Sequence, residues 1–145
     1  DILTKTTRDE NNKDRLENGN YIETCGNHYI LLIGENGDAT PALLTMKATQ
    51  LKKSRKWNSM LLNLKLNGKN GLFTPPSYSH YYRLKTTKEG NDKGNWYGWE
   101  ISRESRLEDA NLYSIAKAFA ESVNKGEVKV KYEEESSTDE QKVPF

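Results

Sequence analysis

Apolar and polar positions in the first part of the chain follow the period of β-strands. Residues 21–33 are strand-like and predict two short strands broken at Gly26 and Asn27. Residues 34–38 combine two glycines with Asn and Asp, which is a strong turn signal. A further strand is predicted from residues 42–46. The two strand segments on either side of this turn therefore predict a hairpin.

The period then changes to that of a helix. Trp57, Leu61 and Leu64 recur at i, i+4 and i+7, which predicts one apolar stripe on a helix over residues 50–64. Thr49 precedes the stripe and is the predicted N-cap, because a hydroxyl side chain there accepts from a free backbone N–H.

A second hairpin is predicted from residues 78–87 and 96–103, joined by residues 89–95. Alternation assigns the faces of both strands, since successive side chains point to opposite sides. On the first strand, Tyr78, Tyr82 and Leu84 share one side, and Tyr81, Arg83 and Lys85 share the other. On the second, Tyr97, Trp99 and Ile101 are predicted to face inward, and Trp96, Gly98 and Glu100 to face outward.

The last part of the folded chain predicts a helix and a strand. Residues 107–124 carry an apolar stripe at helical period, with Glu108 and Asp109 in the first turn, where the helix dipole favours acids. Val128, Val130 and Tyr132 then alternate with two lysines as a final strand.

These elements predict a mainly β fold with two helices (α+β), arranged as a small OB-like antiparallel Greek-key barrel. Three segments are expected: a polar N-terminal arm or loop over residues 1–20, an OB-like nucleic-acid-binding domain over residues 21–132, and a disordered acidic C-terminal tail over residues 133–145. The single cysteine, Cys25, permits no internal disulfide, and no apolar run reaches the roughly 18 residues of a membrane span. A soluble, cytoplasmic protein is therefore expected, without a membrane partner.

Charge is strongly segregated along the chain, although the formal net charge is only +1. Residues 41–88 contain ten basic and no acidic residues, and all 21 acids lie outside this segment. Clustered Lys and Arg side chains are the electrostatic pattern expected for a polyanionic ligand, because they release counterions when they neutralise phosphates.

Aromatic residues accompany this basic segment, and single-strand binders combine positive charge with rings on which bases stack. The predicted phosphate-binding residues are Lys47, Lys52, Lys53, Arg55, Lys56, Arg83 and Lys85. The predicted stacking residues are Tyr81 and Trp96, with Tyr78 and Trp57 as further candidates, although Trp57, Tyr82 and Trp99 are also expected in the core.

Signatures of catalysis are largely missing from the sequence. Cys25 and His28 have the spacing of half a zinc site, but no second Cys/His pair completes four ligands, so no metal site is predicted. The basic segment also lacks the clustered carboxylates of a two-metal nuclease. No phosphate-binding glycine motif and no cofactor site are predicted, and the chain is not expected to be an enzyme.

The acidic tail ends in Val143, Pro144 and Phe145. It resembles the tails of bacterial and phage single-stranded-DNA-binding proteins, which end in Pro-Phe or in Phe, although Lys142 interrupts the acidic run here. Residues 47–58 and 91–99 also look like segments of uncharacterised or single-strand-binding phage proteins. The resemblance implies protection of single-stranded DNA in phage replication or recombination, with Pro144 and Phe145 recruiting replication or repair proteins.

The predicted function is largely sequence-independent binding of single-stranded DNA. Nothing in the sequence separates DNA from RNA, and the oligomeric state stays open, a homo-oligomer included. Two alternatives are a protein-interaction module whose basic face meets an acidic protein, and a nuclease fragment whose carboxylates lie upstream of Asp1.

Overall fold

The computed structural model describes residues 1–129, so the predicted acidic tail lies outside the described residues. The described chain is mainly β with two α-helices, as the sequence predicts. The strands are β1 (Thr7–Arg8), β2 (Asp14–Arg15), β3 (Tyr21–Ile22), β4 (Cys25–Ile33), β5 (Ala39–Lys47), β6 (Leu66–Gly68), β7 (Gly71–Phe73), β8 (His80–Asn91) and β9 (Gly94–Arg106). The helices are α1 (Leu51–Asn63) and α2 (Ala110–Asn124).

The polar N-terminal segment contains paired strands. β1, β2 and β3 form a small antiparallel sheet, which crosses the boundary expected at residue 20. The Nε of Arg15 lies 2.5 Å from Asp9 Oδ2, and backbone N–H groups of Asn11 and Lys13 donate to Asp9 Oδ1. These bonds lower the pKa of Asp9. Hydrogen bonds thus order a segment in which the sequence has no apolar alternation.

The first predicted hairpin is confirmed. β4 and β5 pair antiparallel along their whole lengths, from Cys25 opposite Lys47 to Ile33 opposite Ala39. Gly26 and Asn27 do not break the strand as predicted, because the gap between strands falls at residues 23–24. Gly26 takes part in the ladder opposite Met46, where its missing side chain is needed for close packing.

Helix α1 is also confirmed, with a different N-cap. Gln50, and not Thr49, occupies the N-cap position, and no side chain caps the helix there. A short 3-10 helix, Ala48–Gln50, precedes α1. The carboxamide of Gln50 is used instead for contacts with the second hairpin.

The second hairpin is longer than predicted. β8 and β9 pair from His80 opposite Arg106 to Asn91 opposite Gly94, with an irregularity at residue 81, so most of the predicted loop 89–95 belongs to the strands. The predicted inward position of Tyr97 is wrong, because its side chain is 72% exposed. Trp99 and Ile101 are half-buried.

The core of the described chain is small, with Met46, Trp57, Leu112 and Ala116 as its buried apolar residues. α1 contacts β4, β5 and β9 and therefore connects the two long hairpins. α2 begins at Ala110, where the side chain of Asp109 accepts from the N–H groups of Asn111 and Leu112.

The sheets of the described residues stay separate. β4–β5, β6–β7 and β8–β9 are two-stranded, and no sheet within residues 1–129 closes into a barrel. The Greek-key barrel is therefore not confirmed. Val128 and Lys129, the start of the predicted last strand, are not in a strand, and the remainder of that strand lies outside the described residues.

Candidate nucleic-acid interface

The first hairpin and α1 approach each other closely at Gly26. A Cβ atom on Gly26 would lie 2.1 Å from Ser54 Oγ and 2.7 Å from Ser54 Cβ, so the contact requires glycine. Ser54 is buried, and its Oγ lies 2.7 Å from His28 Nε2. Burial lowers the pKa of His28, since desolvation disfavours the charged imidazolium.

Trp57 is held in the core beside the same histidine. The rings of His28 and Trp57 are stacked with centroids 4.6 Å apart and an interplanar angle of 18°. Trp57 is 6% exposed, and its ring also contacts Tyr82 at 5.7 Å. Of the two roles that the sequence suggests for Trp57, its place in the core is confirmed by this burial.

Glu89 joins α1 to the second hairpin. Its carboxylate accepts from Lys53 Nζ at 2.5 Å, from Trp96 Nε1 at 3.0 Å and from Gln50 Nε2 at 3.2 Å. Gln50 Oε1 in turn accepts from the backbone N–H of Trp99 at 2.9 Å. These four bonds fix the ring of Trp96 next to the first turns of α1.

The contacts of Glu89 change its acidity. The hydrogen bond from Lys53, followed by those from Gln50 and Trp96, lowers the pKa of Glu89 to about 2 from an ordinary value of 4.5. Glu89 is therefore ionised throughout the neutral range. Its charge offsets that of Lys53, which removes Lys53 from the set of freely available cations.

Three further predicted phosphate-binding residues also face acids. Lys47 pairs with Glu23 at 3.6 Å, Arg83 with Glu104 at 3.1 Å and Lys85 with Glu100 at 3.9 Å. The acids come from segments outside residues 41–88, so the charge segregation along the sequence is partly cancelled in the folded chain. All three pairs are exposed, where such ion pairs are weak and readily exchanged.

The other three predicted cations form what we call the basic cluster: Lys52, Arg55 and Lys56. They are exposed on α1, and no carboxylate among residues 1–129 lies within 4 Å of them. Positions three and four apart share one side of a helix. Ser54 and Trp57 are the buried residues of α1, so the basic cluster occupies its solvent side.

The predicted stacking residues are divided between two surfaces. Trp96 is half-buried beside α1. Tyr78 and Tyr81 are also half-buried, but they line a cleft that Trp96 does not border, and the ring centroids of Tyr78 and Tyr113 lie 5.3 Å apart in an edge-on contact. Burial is the largest cause of a raised pKa at Tyr78.

This cleft has a volume of about 840 Å³ and lies between β4, the first half of β8 and α2; we call it the β4–β8 cleft. Trp57 and Arg83 also line it. The structure therefore brings Tyr78, Tyr81 and Arg83 together in the cleft. It holds Trp96 elsewhere, through Glu89, beside Gln50 and Lys53 of the α1 N-terminus, so the predicted residues do not form one continuous site.

Sequence reasoning missed Glu89 and Tyr97. Glu89 stands immediately after the acid-free segment, and a register placing it opposite Trp96 would have indicated its contact with the indole. Tyr97 exposes a large ring opposite Lys88. Its exposure depends on how β9 lies against α1, which alternation alone does not reveal.

Within residues 1–129 no group of three or more His, Cys, Asp or Glu side chains could hold a metal ion. In the same part of the chain neither helix has the length and apolar character needed to cross a membrane. Pro144 and Phe145, the predicted partner-binding residues of the tail, lie outside the described residues.

Comparison with known proteins gives one match. No curated protein and no solved structure matches the chain significantly. A family model described as Pam3 phage gp34-like protein matches residues 2–129, which is most of the chain and includes every helix and strand of the described residues. On the extent of this match, the chain belongs to the Pam3 phage gp34-like protein family.

Proposed function

We propose that this chain binds single-stranded DNA with little sequence preference and acts in phage DNA replication, recombination or repair. The observation that carries the proposal is the position of Trp96. Glu89 holds this ring beside α1, whose solvent side presents Lys52, Arg55 and Lys56 without acidic partners in the described chain. Charge and a flat ring are the two features on which single-strand binding depends.

Within this proposal, the ion pairs of the described chain suggest which residues have which role. Phosphates bind the basic cluster, and a base stacks on the accessible part of Trp96. Lys47, Lys53, Arg83 and Lys85 are secondary, because each would first have to leave a carboxylate. Tyr78 and Tyr81 contribute to DNA binding only if the bound DNA strand continues into the β4–β8 cleft.

The wider setting of the proposal follows the family and the sequence. The family description names a phage protein, and we place the activity in the cytoplasm of an infected cell. The tail, through Pro144 and Phe145, recruits replication or repair proteins. No cofactor or membrane is part of the proposal. RNA is a second ligand whose binding is to be compared with that of DNA. A homo-oligomer is compatible with the proposal. An OB-like barrel would require a strand that joins the two hairpins.

Fluorescence anisotropy of a labelled oligo-dT of about 30 nucleotides tests the proposal, with a duplex and an oligo-U of equal length as comparisons. We expect salt-sensitive binding to the single strand and weaker binding to the duplex. Absence of binding at low salt would refute the proposal and favour the protein-interaction module. Metal-dependent shortening of the oligonucleotide would instead identify a nuclease.

Matched charge variants locate the interface. Replacing Lys52, Arg55 and Lys56 by Gln removes three phosphate contacts, so the slope of log affinity against log salt should decrease by about 2. The control replaces Lys117, Lys125 and Lys129, which are exposed at the other end of the chain, and carries the same change in net charge. Equal weakening by both variants would show general charge attraction and contradict an interface on α1.

Variants of Trp96 test stacking. Trp96→Ala should weaken binding by about 1 to 3 kcal/mol, the usual contribution of a stacked base. Trp96→Phe loses the indole N–H that binds Glu89 but keeps a ring, and should retain most of the affinity. If both variants weaken binding equally, the hydrogen bond to Glu89 matters and the ring does not stack.

A further inference from the structure

A short hairpin, formed by β6 and β7, follows α1 directly. Its strands pair antiparallel, with Leu66 opposite Phe73 and Asn67 opposite Leu72. Leu66 and Phe73 line a cavity of about 470 Å³ together with residues 106–108, so this side of the hairpin faces the rest of the protein. Because side chains alternate along a strand, Asn67 and Leu72 point the other way, towards solvent.

Lys65 connects the solvent side of the β6–β7 hairpin to the end of α1. Its Nζ donates to the carbonyl oxygen of Leu62 at 3.1 Å and also to Oγ1 of Thr74. Thr74 stands two positions after Leu72, so alternation places these two side chains on the same side of the chain. Leu72 and the last turn of α1 at Leu62 therefore belong to one surface, with Lys65 between them.

Leu62 also lies on the side of α1 that carries the basic cluster. It follows Arg55 by seven residues, which is two helical turns, or about 10 Å along the axis in nearly the same direction. Ser59 lies between them on the same side and is exposed as well. The surface that begins at the basic cluster thus continues to Leu62 and, through Lys65, to the β6–β7 hairpin.

This continued surface is apolar and basic at once. Leu62 and Leu72 are the most exposed large aliphatic side chains of residues 1–129, at 68% and 70%. Lys65 and Lys69 beside them are exposed, and neither forms an ion pair with a carboxylate of the described chain. Charge complementarity favours a nucleic acid as the occupant, because its phosphates are anionic while the flat faces of its bases are apolar.

We propose that the β6–β7 hairpin binds the junction between single-stranded and duplex DNA, with Leu62 and Leu72 against the last base pair. The inference rests on the proposed function, since the single strand leads from the basic cluster to this junction. Lys65 and Lys69 bind phosphates there. The leucines take the place of the first unpaired base, which otherwise stacks on the last pair. Leucine has no group that hydrogen-bonds to base edges, so the junction is recognised and not its sequence.

Fluorescence anisotropy tests this preference with duplexes that carry a 5′ or a 3′ single-stranded tail, compared with the isolated tail and with a blunt duplex. We expect one tailed duplex to bind about tenfold more tightly than its isolated tail, the factor that corresponds to burying most of one leucine side chain. The preference should persist as salt rises, because salt screens charges and not apolar contacts. The fluorescence of 2-aminopurine at the first unpaired position should increase as this base leaves the stack.

Leu72→Ser is the variant that tests the apolar contact. It leaves the charge unchanged, and a substitution at so exposed a position should retain the fold, which circular dichroism verifies. We expect it to remove the preference for the tailed duplex. The control is Leu3→Ser, the same change at a residue that is 47% exposed in the N-terminal segment, and it should keep the preference.

The outcomes separate this inference from the proposed function. Binding of oligo-dT without preference for either tailed duplex would overturn the junction and leave single-strand binding intact. A preference that Leu72→Ser retains, that Leu3→Ser also removes, or that disappears as salt rises would likewise overturn it. An unchanged 2-aminopurine signal would do the same. Absence of binding to every DNA at low salt would refute the proposed function, and this inference with it.

Discussion

Lys53 Nζ lies 2.5 Å from Glu89 Oε1 and thereby links α1 to β8 across 36 positions of the sequence. Both side chains are about four-fifths buried in this contact. The same carboxylate binds the indole of Trp96, so Glu89, together with the bond from the Trp99 N–H to Gln50, holds the second hairpin against the helix. Stability and the candidate interface therefore depend on the same ionised group.

Replacing Glu89 should change the pH dependence of stability. Its pKa is lowered from 4.5 to about 2, so the ionised group stabilises the fold above pH 4.5, and this contribution is lost as the pH falls towards 2. Glu89→Gln should lower the melting temperature at pH 7. Between pH 4.5 and 2 the melting temperature of this variant should fall less steeply than that of the wild type. Thermal unfolding followed by circular dichroism measures both effects.

Glu104→Gln is the matched control for Glu89→Gln, because Glu104 pairs with Arg83 on an exposed part of the same hairpin. Exposed ion pairs contribute little, so this variant should follow the wild-type curve closely. Parallel acid curves for the wild type and Glu89→Gln would show that the ion pair with Lys53 does not form in solution.

His28 should titrate below the ordinary value of 6.5. Burial lowers its pKa, so the folded state resists a proton that the unfolded chain accepts. The stabilisation by neutral His28 is complete above pH 6.5 and is lost as the pH falls below that value. NMR titration of the ring protons gives the pKa directly, and residue-specific assignment separates His28 from His80, whose pKa is also lowered by burial. A pKa of 6.5 or more would contradict the buried contact with Ser54.

Gly26→Ala should destabilise the protein by about 1 to 3 kcal/mol, the usual cost of overpacking a tight contact. The added Cβ would lie 2.1 Å from Ser54 Oγ, so α1 and β4 would have to separate. Urea unfolding measures the loss. Combining Gly26→Ala with Ser54→Gly should cost less than the sum of the two single changes, since the second removes the atoms that clash. Additive costs would indicate that the two residues do not touch.

Trp57→Ala should cost about 3 to 5 kcal/mol, because a large buried side chain leaves a cavity in a small core. Leu62→Ala on the same helix is the control, since Leu62 is 68% exposed and should change stability by less than about 0.5 kcal/mol. Trp57→Phe, which keeps part of the packing, should leave the affinity of the folded protein for oligo-dT unchanged. Weaker binding by folded Trp57→Phe would restore Trp57 to the stacking residues.

Local patterns in the sequence were sufficient for both long hairpins and both helices. The turn at residues 34–38 and the apolar stripe of α1 depend only on residues that are close in sequence, so both can be predicted without knowledge of the tertiary contacts. The N-terminal strands were not predicted, because they are held by the bonds of Asp9 and not by apolar alternation. The extent of the second hairpin was underestimated, since Glu89 to Asn91 carry no apolar pattern and pair with β9 all the same.

The candidate site was only partly predictable for a different reason. Residue types identified the cations and rings, and Lys52, Arg55 and Lys56 are exposed as expected. Which cations meet acids depends on contacts between distant segments, such as Lys47 with Glu23 and Arg83 with Glu104. Strand alternation likewise shows which rings share a face, but it does not show which face the rest of the chain covers.

The position of α1 against both long hairpins has a thermodynamic consequence. A ligand that binds the native protein, and not the opened one, suppresses every opening that would disrupt its site. Since α1 contacts β4 and β5 of the first hairpin and β9 of the second, a ligand held on its solvent side would slow the opening of both hairpins together. The helix would then act as the common support through which occupancy of one surface tightens the whole molecule.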